Sequence, residues 1–301
     1  MKKILTLTLM LLLSVCVVDA SSRSRKAKHV VLIGLDGWGA YSLPKAEMPN
    51  VKSLMEKGSF TLSKRTVLPS SSAPNWASMF MGVGPELHGY TKWGSKAPEL
   101  PSRVIDKNNI FPTVFQLLRD SDADAEIGVL HEWEGIKYLV DTLSLSYRWE
   151  SPDYEKYPEA LCSMAEVYIK EKTPDFVAVC FDNPDHVGHQ AGHDTEPYYD
   201  KLTELDGYIG RILNAVKDAG MWDDTIFIIT SDHGGIEKNH GGITMQEMET
   251  PFVIFGKGIK SEGKEFRESM MQFDVASTIA YALGLEQPQV WIGRPMVQVF
   301  E

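Results

Sequence analysis

Apolar runs and helical stripes alternate along the chain. Val30-Val31-Leu32-Ile33-Gly34-Leu35, Phe176-Val177-Ala178-Val179-Cys180-Phe181 and Thr225-Ile226-Phe227-Ile228-Ile229-Thr230 are almost continuously apolar. That is the pattern of strands covered on both faces. Strands are predicted over roughly 28–35, 60–67, 125–130, 175–181, 225–230 and 252–255. Helices are predicted at about 49–58, 74–81, 111–119, 132–139, 158–171, 195–220 and 270–284. The longest opens at Thr195-Glu196-Pro197 and ends at Gly220. Its residues Leu202, Leu205, Ile209, Ile212 and Val216 recur at spacings of three and four, which gives one apolar stripe. Segments 91–109 and 145–157 show no period and read as loops. No repeat or linker divides the chain. The alternation predicts an α/β fold, a three-layer α/β/α sandwich with a largely parallel central sheet, over residues 29–301.

The three most apolar strands end abruptly in acids and imidazoles. The first runs into Asp36-Gly37. The second runs into Asp182-Asn183-Pro184-Asp185, with His186 and His189 following. The third runs into Ser231-Asp232-His233-Gly234-Gly235, with His240 beyond. Open parallel sheets bind ligands beyond the carboxyl ends of their strands. The three ends therefore predict one shared site, and its Asp and His side chains suit a divalent metal such as zinc. Asp185 and His189 are four apart, with Gly188 allowing a tight turn. Asp232 and His233 are adjacent, point in different directions and suit two neighbouring ions. Two metals about 3.5–4 Å apart match in-line displacement at phosphorus.

Between the first two strand ends lies Leu68-Pro69-Ser70-Ser71-Ser72-Ala73-Pro74-Asn75-Trp76. Pro74 in a first turn puts Ser72 at a helix N-terminus, where free N–H groups favour an anion. Asp182 reads as a turn former and His88 as a structural histidine. His186 and His193 read as supporting or surface residues. Lys92 and Trp93 lie in the 91–109 loop, which is either solvated or lines a substrate pocket.

Composition adds bounds to this picture. The 301 residues are 43% hydrophobic, enough for one large core. Lys2 and Lys3 precede an apolar run from Ile4 to Val18, and Val18-Asp19-Ala20 is a small-residue cleavage pattern. Residues 1–20 thus read as a signal peptide cleaved near Ala20, too short for a stable membrane span, which predicts a secreted or periplasmic protein. Residues 21–28 read as a disordered basic leader. The net charge is −11; removing residues 1–20 takes away Lys2, Lys3 and Asp19, one net positive charge, and leaves −12. So acidic a chain is unsuited to tracking a nucleic-acid backbone. Cys162 and Cys180 read as buried apolar residues, with pairing between them left open.

These residues carry a resemblance. The chain resembles the alkaline phosphatase superfamily, and most closely its type I phosphodiesterase/nucleotide pyrophosphatase branch. The matching pieces are Ile33-Gly34-Leu35-Asp36-Gly37, the Leu68–Asn75 segment, Gly82-Val83-Gly84-Pro85-Glu86-Leu87-His88-Gly89, Pro184-Asp185-His186-Val187-Gly188-His189, Ser231-Asp232-His233-Gly234-Gly235 and His240-Gly241-Gly242. Phe273-Asp274-Val275-Ala276-Ser277-Thr278-Ile279-Ala280 is similar to the family's C-terminal part. The resemblance implies an alkaline phosphatase-like fold and two divalent ions, zinc foremost. It makes Asp185, His189 and His240 ligands of one ion, and Asp36, Asp232 and His233 ligands of the other. Ser72 falls at the nucleophile position, beside the second ion, and Asn75 at the position of a donor to a phosphate oxygen. The implied reaction is hydrolysis of a small phosphate ester through a covalent phosphoryl-serine. Where the family often has Pro, this chain has His193.

Rival readings remain. A sulfatase shares the fold, but its motif needs Arg where Trp76 stands and paired acids where Asp36-Gly37 stands. A phosphomonoesterase or phosphonate hydrolase fits the same donors; a monoester calls for an extra cation, for which Lys92 and Arg65 are the candidates. A phosphoryl-transferring mutase normally carries an inserted domain not evident here. A metal-binding protein without turnover would be expected to lack one of the seven positions. The oligomeric state is not legible.

Overall fold

The computed structural model describes residues 24–301. Its strands are β1 (His29–Leu35), β2 (Ser59–Arg65), β3 (Ile127–His131), β4 (Tyr147–Glu150), β5 (Phe176–Phe181), β6 (Thr225–Thr230), β7 (Glu249–Gly256) and β8 (Lys264–Glu265). They form one sheet in the order β4-β3-β5-β1-β6-β7-β2-β8. Pairing is parallel from β4 across to β6, whereas β7 runs antiparallel to both β6 and β2. The sheet is thus mixed and mostly parallel. At its centre Leu32 lies opposite both Ala178 and Ile228. β5, β1 and β6 therefore end at one level.

Alternate residues of β1 enter different cores. Val30 and Leu32 pack with α2 (Ser72–Met81), α4 (Val114–Ser121) and α9 (Asp274–Ala282); Val31, Ile33 and Leu35 pack with α1 (Pro49–Glu56), α5 (Ala160–Lys172) and α7 (Glu196–Asp218). Burial on both faces is why these strands are apolar throughout rather than alternating. The expected stripe on α7 is wholly buried, each such side chain contributing about 2 kcal/mol. One acid shares that face. Asp206 accepts the backbone N–H groups of Asn50 and Val51 (both 2.9 Å), and so caps α1, whose own N-cap position, Met48, offers no side-chain acceptor.

The structure departs from expectation in a few segments. Residues 145–157 contain β4, an edge strand whose half-exposed Tyr-Arg-Trp-Glu sequence has no apolar run to reveal it. The helix expected at 132–139 is a 3-10 turn, Glu134–Tyr138. The last helix begins only at Asp274, whose carboxylate accepts the N–H groups of Met271 (2.7 Å) and Arg294 (2.8 Å).

The leader expected to be disordered over 21–28 is fixed from residue 25 onward. Arg25 pairs with Asp175 (2.9 Å) and Asp122 (3.4 Å), Ala27 is buried, and Lys26 and Lys28 donate their N–H groups to Ala282 and Asp224. The acids at that edge of the fold order the basic segment. The expected signal peptide, residues 1–20, lies outside the described residues, as do 21–23. Cys162 and Cys180 are buried and unpaired. No described helix is long and apolar enough to cross a membrane.

One close approach links the core to the strand ends. Gly34 of β1 lies under the Trp76 indole, where a Cβ would fall 2.3 Å from the ring. The indole crosses the strand and donates its Nε1–H to Asp36 Oδ2 at 2.9 Å. Gly34→Ala is expected to cost about 1–3 kcal/mol of stability, the usual effect of overpacking. Urea unfolding measures it, and an unchanged midpoint would refute the packing argument.

Candidate functional site

Past the sheet, the ends of β1, β5 and β6 are laced together. Asp36 N–H donates to the Phe181 carbonyl and Asp185 N–H to the Asp36 carbonyl, both at 3.0 Å. Gly37 turns the chain at φ 69°, where a Cβ would come within 2.5 Å of Asp185 Cβ. Only glycine allows that turn and that contact together. From β6, Asp232 Oδ1 accepts the Gly37 N–H (3.1 Å) and Ser231 Oγ accepts the Trp38 N–H (2.9 Å). Asp36, Asp185 and Asp232 are thereby gathered and buried. Asp185 and His189 sit one turn apart on a short helix, α6 (Asp185–Ala191), rather than in the tight turn expected.

Four histidines close around the acids in one orientation. Their Nδ1 atoms meet backbone carbonyls: His189 at Lys238 (2.8 Å), His193 at Glu237 (3.2 Å), His233 at Gly234 (2.8 Å) and His240 at Ser70 (3.2 Å). In the tautomer that donates to those carbonyls, Nε2 carries the lone pair. Each Nε2 faces a carboxylate. His189 is 3.0 Å and His240 3.7 Å from Asp185 Oδ2; His193 is 3.1 Å from Asp185 Oδ1; His233 is 3.3 Å from both Asp36 Oδ1 and Asp232 Oδ2. A lone pair against a carboxylate is repulsive unless a proton on Nε2 or a metal cation lies between them.

The electrostatics point the same way. Asp36 Oδ1 and Asp232 Oδ2 are buried without any hydrogen-bond donor. Burial, with the neighbouring acids, pushes the Asp36 carboxyl well above its usual range, and burial raises Asp232 to about 7. Burial also opposes ionisation of Asp185, but hydrogen bonds from His189 and His193 outweigh it and hold that carboxyl well below its usual range. Its bond to Asp185 raises His189 to about 9, while burial lowers His233 and His240 to about 4. Two groups bring their donor atoms within 4.8 Å of one another: Asp185, His189 and His240, and Asp36, Asp185 and His233. The first is the expected set. In the second, Asp185 stands where Asp232 was expected, and Asp232 flanks it through His233. Orphaned oxygens, preset tautomers and converging donors fit bound divalent cations.

Ser72 opens α2 at the edge of this cluster, with its Oγ buried and 3.2 Å from His233 Nε2. Ser70, two residues earlier, donates to the Gly242 carbonyl instead (2.7 Å). The expected anion site at the helix start is narrower than foreseen. Ala73 N–H is taken by the Trp93 carbonyl (3.1 Å) and Asn75 N–H by the Ser71 carbonyl (3.2 Å), and residue 74 is proline. That leaves the Ser72 N–H. The role expected for Asn75 does not fit. Its Nδ2 donates to the carbonyls of Ser71 (2.9 Å) and Pro69 (3.0 Å), and its Oδ1 accepts the Val67 N–H (2.8 Å). Asn75 is fully buried and shapes the serine loop from behind. His88 bonds Ser78 and the Tyr90 N–H. His186 is half-buried and reaches Gln190 and Glu155. Lys92 and Trp93 are exposed on the loop that meets Ala73.

Two supports stand behind the cluster: His193, read from the sequence as a supporting or surface residue, and Lys64, which was not foreseen. The His193 side chain is fully buried against Asp185. Gly188 and Gly235 make room for it, since a Cβ on either would fall within 2.4 Å of its ring. Beneath the Ser231-Asp232 turn, Lys64 is completely buried, and burial lowers it to about 7. Its Nζ donates to the Ser231 carbonyl (2.8 Å) and to Gln272 Oε1. Gln272 in turn donates to the Ser231 (3.2 Å) and Asn75 (3.3 Å) carbonyls, tying the β6 turn to α2.

Comparison with known proteins agrees with this geometry. The sequence model of "Type I phosphodiesterase / nucleotide pyrophosphatase" matches residues 30–250. A mouse bis(5'-adenosyl)-triphosphatase, enpp4, is 27% identical over 71% of this chain and 48% of its own length. The bovine counterpart is 25% identical over 76% and 52%. The chain spans about half the length of these curated relatives. Among solved structures, an inactive variant of murine ectonucleotide pyrophosphatase/phosphodiesterase 5 in complex with AMP superposes with a TM-score of 0.71 at 15% identity, over 90% of this chain and 98% of that one. A putative sulfatase from Bacteroides thetaiotaomicron gives 0.72 at 16% identity, over 91% and 74%. At such identities the structures speak for the fold alone, that of the alkaline phosphatase superfamily. The matched residues reach from β1 to the start of β7 and take in every acid and histidine of the cluster, and the chain belongs to the type I phosphodiesterase/nucleotide pyrophosphatase family.

Proposed function

We propose that the protein is a hydrolase of small phosphodiesters that works through Ser72 with two divalent ions, zinc foremost, and acts outside the cytoplasm once residues 1–20 are removed. The observation that carries this reading is the buried Ser72 hydroxyl, 3.2 Å from His233 Nε2, at the rim of a cluster with unpartnered carboxylate oxygens. Asp185, His189 and His240 would hold one ion. Asp36, Asp232 and His233 would hold the other, beside Ser72, with Asp185 close to both. Bound ions supply Lewis-acid charge that lowers the pKa of a nearby hydroxyl and offsets the charge of the phosphoryl oxygens.

The chain's own residues do the rest. The α2 start fixes the Ser72 hydroxyl at the cluster. Its oxygen attacks phosphorus as the O–H proton leaves, and the ester alcohol departs with the bonding pair and takes up a proton. The Ser72 N–H is placed to donate to the phosphoryl oxygen as charge builds there. Water then attacks the phosphoryl-serine and regenerates the hydroxyl. Asn75 and Gln272 hold the serine loop and the β6 turn in fixed relation, so little reorganisation precedes attack. A diester is preferred to a monoester in this reading: of the two cations considered for the extra monoester charge, Arg65 is paired with Glu249 at 3.2 Å and Lys92 is exposed on its loop.

With zinc supplied, bis-nitrophenyl phosphate is expected to turn over faster than mono-nitrophenyl phosphate. Ser72→Ala should lower the diester rate at least ~10³-fold, as loss of a nucleophile does, with metal content unchanged. Full activity in that variant would sink the assignment. His193→Ala is expected to weaken zinc binding about 10–100-fold through loss of its hold on Asp185. Unaltered affinity in a competition titration would show the contact to be incidental.

Removing the metal should change the pH dependence of stability. In the metal-free fold Asp36 and Asp232 are raised above their unfolded values, Asp232 to about 7. Such groups add stability at low pH that is lost as pH rises through the folded value. The chelated protein should therefore melt lower at pH 8 than at pH 6, and zinc should erase the difference. Equal melting temperatures after chelation would contradict the assignment of buried, cation-dependent carboxylates.

A further inference from the structure

One loop orders most of the histidine ring. Residues 236–248 leave the β6 turn, pass through His240 and end in α8 (Met245–Met248). The loop supplies more than the His240 side chain. Its Lys238 carbonyl meets His189 Nδ1, and its Glu237 carbonyl meets His193 Nδ1. Three of the four imidazoles therefore take their place from this one segment. Little apolar packing holds it. Lys238 and Asn239 are exposed, Ile243 is 74% exposed, and two glycines, Gly241 and Gly242, follow His240 directly. Segments with so few buried apolar contacts open easily unless hydrogen bonds pin them.

The pin is a clamp on Gly242. Its carbonyl accepts the Ser70 hydroxyl at 2.7 Å, and its N–H donates to Glu247 Oε1 at 2.7 Å. The glycine is thus gripped from the serine loop on one side and from α8 on the other. Each grip is doubled. Ser70 is fully buried, and its own carbonyl meets His240 Nδ1 at 3.2 Å. Glu247 is buried too, and its Oε2 accepts the N–H (3.1 Å) and hydroxyl (2.6 Å) of Thr244, closing a capping box. A Cβ on Gly242 would lie 2.7 Å from both carboxylate oxygens of Glu247, so the acid fits only beneath a glycine. The other half of the cluster is fixed elsewhere. Asp36, Asp232 and His233 are held through Trp76, Gly37 and the Gly234 carbonyl. The Gly234 N–H does meet Glu247, but at its backbone carbonyl, which a side-chain change leaves in place.

We propose that Ser70 and Glu247 are positioning residues for the ion assigned to Asp185, His189 and His240: by clamping Gly242 they fix the loop that orients these histidines, and the affinity of that ion, not of its neighbour, depends on them. The inference rests on the two-ion reading above. Zinc titration in competition with a chromophoric chelator reads both ions without any turnover. The wild type should take up zinc in two steps. Ser70→Ala and Glu247→Gln should each weaken one step about 10–100-fold and leave the other in place. Glutamine keeps the shape of Glu247 but turns an amide towards N–H groups that need an acceptor. Both changes act through one peptide, so the double variant should lose less than the product of the two single losses. A variant that merely loosens the fold would weaken both steps together. Equal weakening of both ions, or unchanged affinity in either single variant, overturns the inference. A wild type that takes up a single ion overturns the two-ion reading instead; the clamp then stands if both variants weaken that ion and falls if either leaves it unchanged.

Discussion

Three carboxylates that repel one another are held side by side in a dry corner of the fold, and much of the surrounding structure serves to keep them there. Asp36, Asp185 and Asp232 come from three strands whose in-phase register sets their common height. Gly37 lets two of the loops touch, the Trp76 indole fixes one oxygen of Asp36, and Lys64 underpins the turn that carries Asp232. Such an arrangement is costly without a counter-charge, since unpaired buried charge is among the most destabilising features a fold can carry. The histidines answer part of that demand. His189 and His193 brace Asp185 from both of its oxygens, which makes it the best ionised of the three.

Much of this was legible in the sequence because the sheet is buried on both faces. Continuous apolar runs marked β1, β5 and β6, and the abrupt acids marked their ends, so Asp36, Asp185, Asp232 and the nearby histidines could be named before any geometry. Features that rest on tertiary contact were not legible. β4 has no apolar pattern because it lies at the sheet edge. His193 read only as a supporting or surface residue, since nothing in its own neighbourhood reveals that Gly188 and Gly235, 47 residues apart in number, open a slot for its ring. Asn75 is the opposite error. Its place in a motif suggested a part in chemistry, whereas all its hydrogen-bonding groups are engaged in the loop behind Ser72. Lys64 sits in a strand that reads as half-exposed, and only the antiparallel partner β7 and the turn above it explain a fully buried amine.

The strand ends and the serine loop gather the buried acids, the histidines and Ser72 in one corner of the fold. Next to it, at the ends of β3 and β4, the surface turns acidic and aromatic, with Glu132 uncompensated while Glu134 is neutralised.

The donor atoms of the cluster are contributed by residues 36 to 240, so no contiguous fragment much shorter than the catalytic domain holds a complete set. Closing such long loops is entropically unfavourable, and strand pairings of this separation form late in folding. An ion bound there would therefore act as a cross-link between chain segments that are last to meet. Metal capture would thus report completed folding, and a loaded centre would work as a reversible clasp across the sheet, where no disulfide joins the described residues.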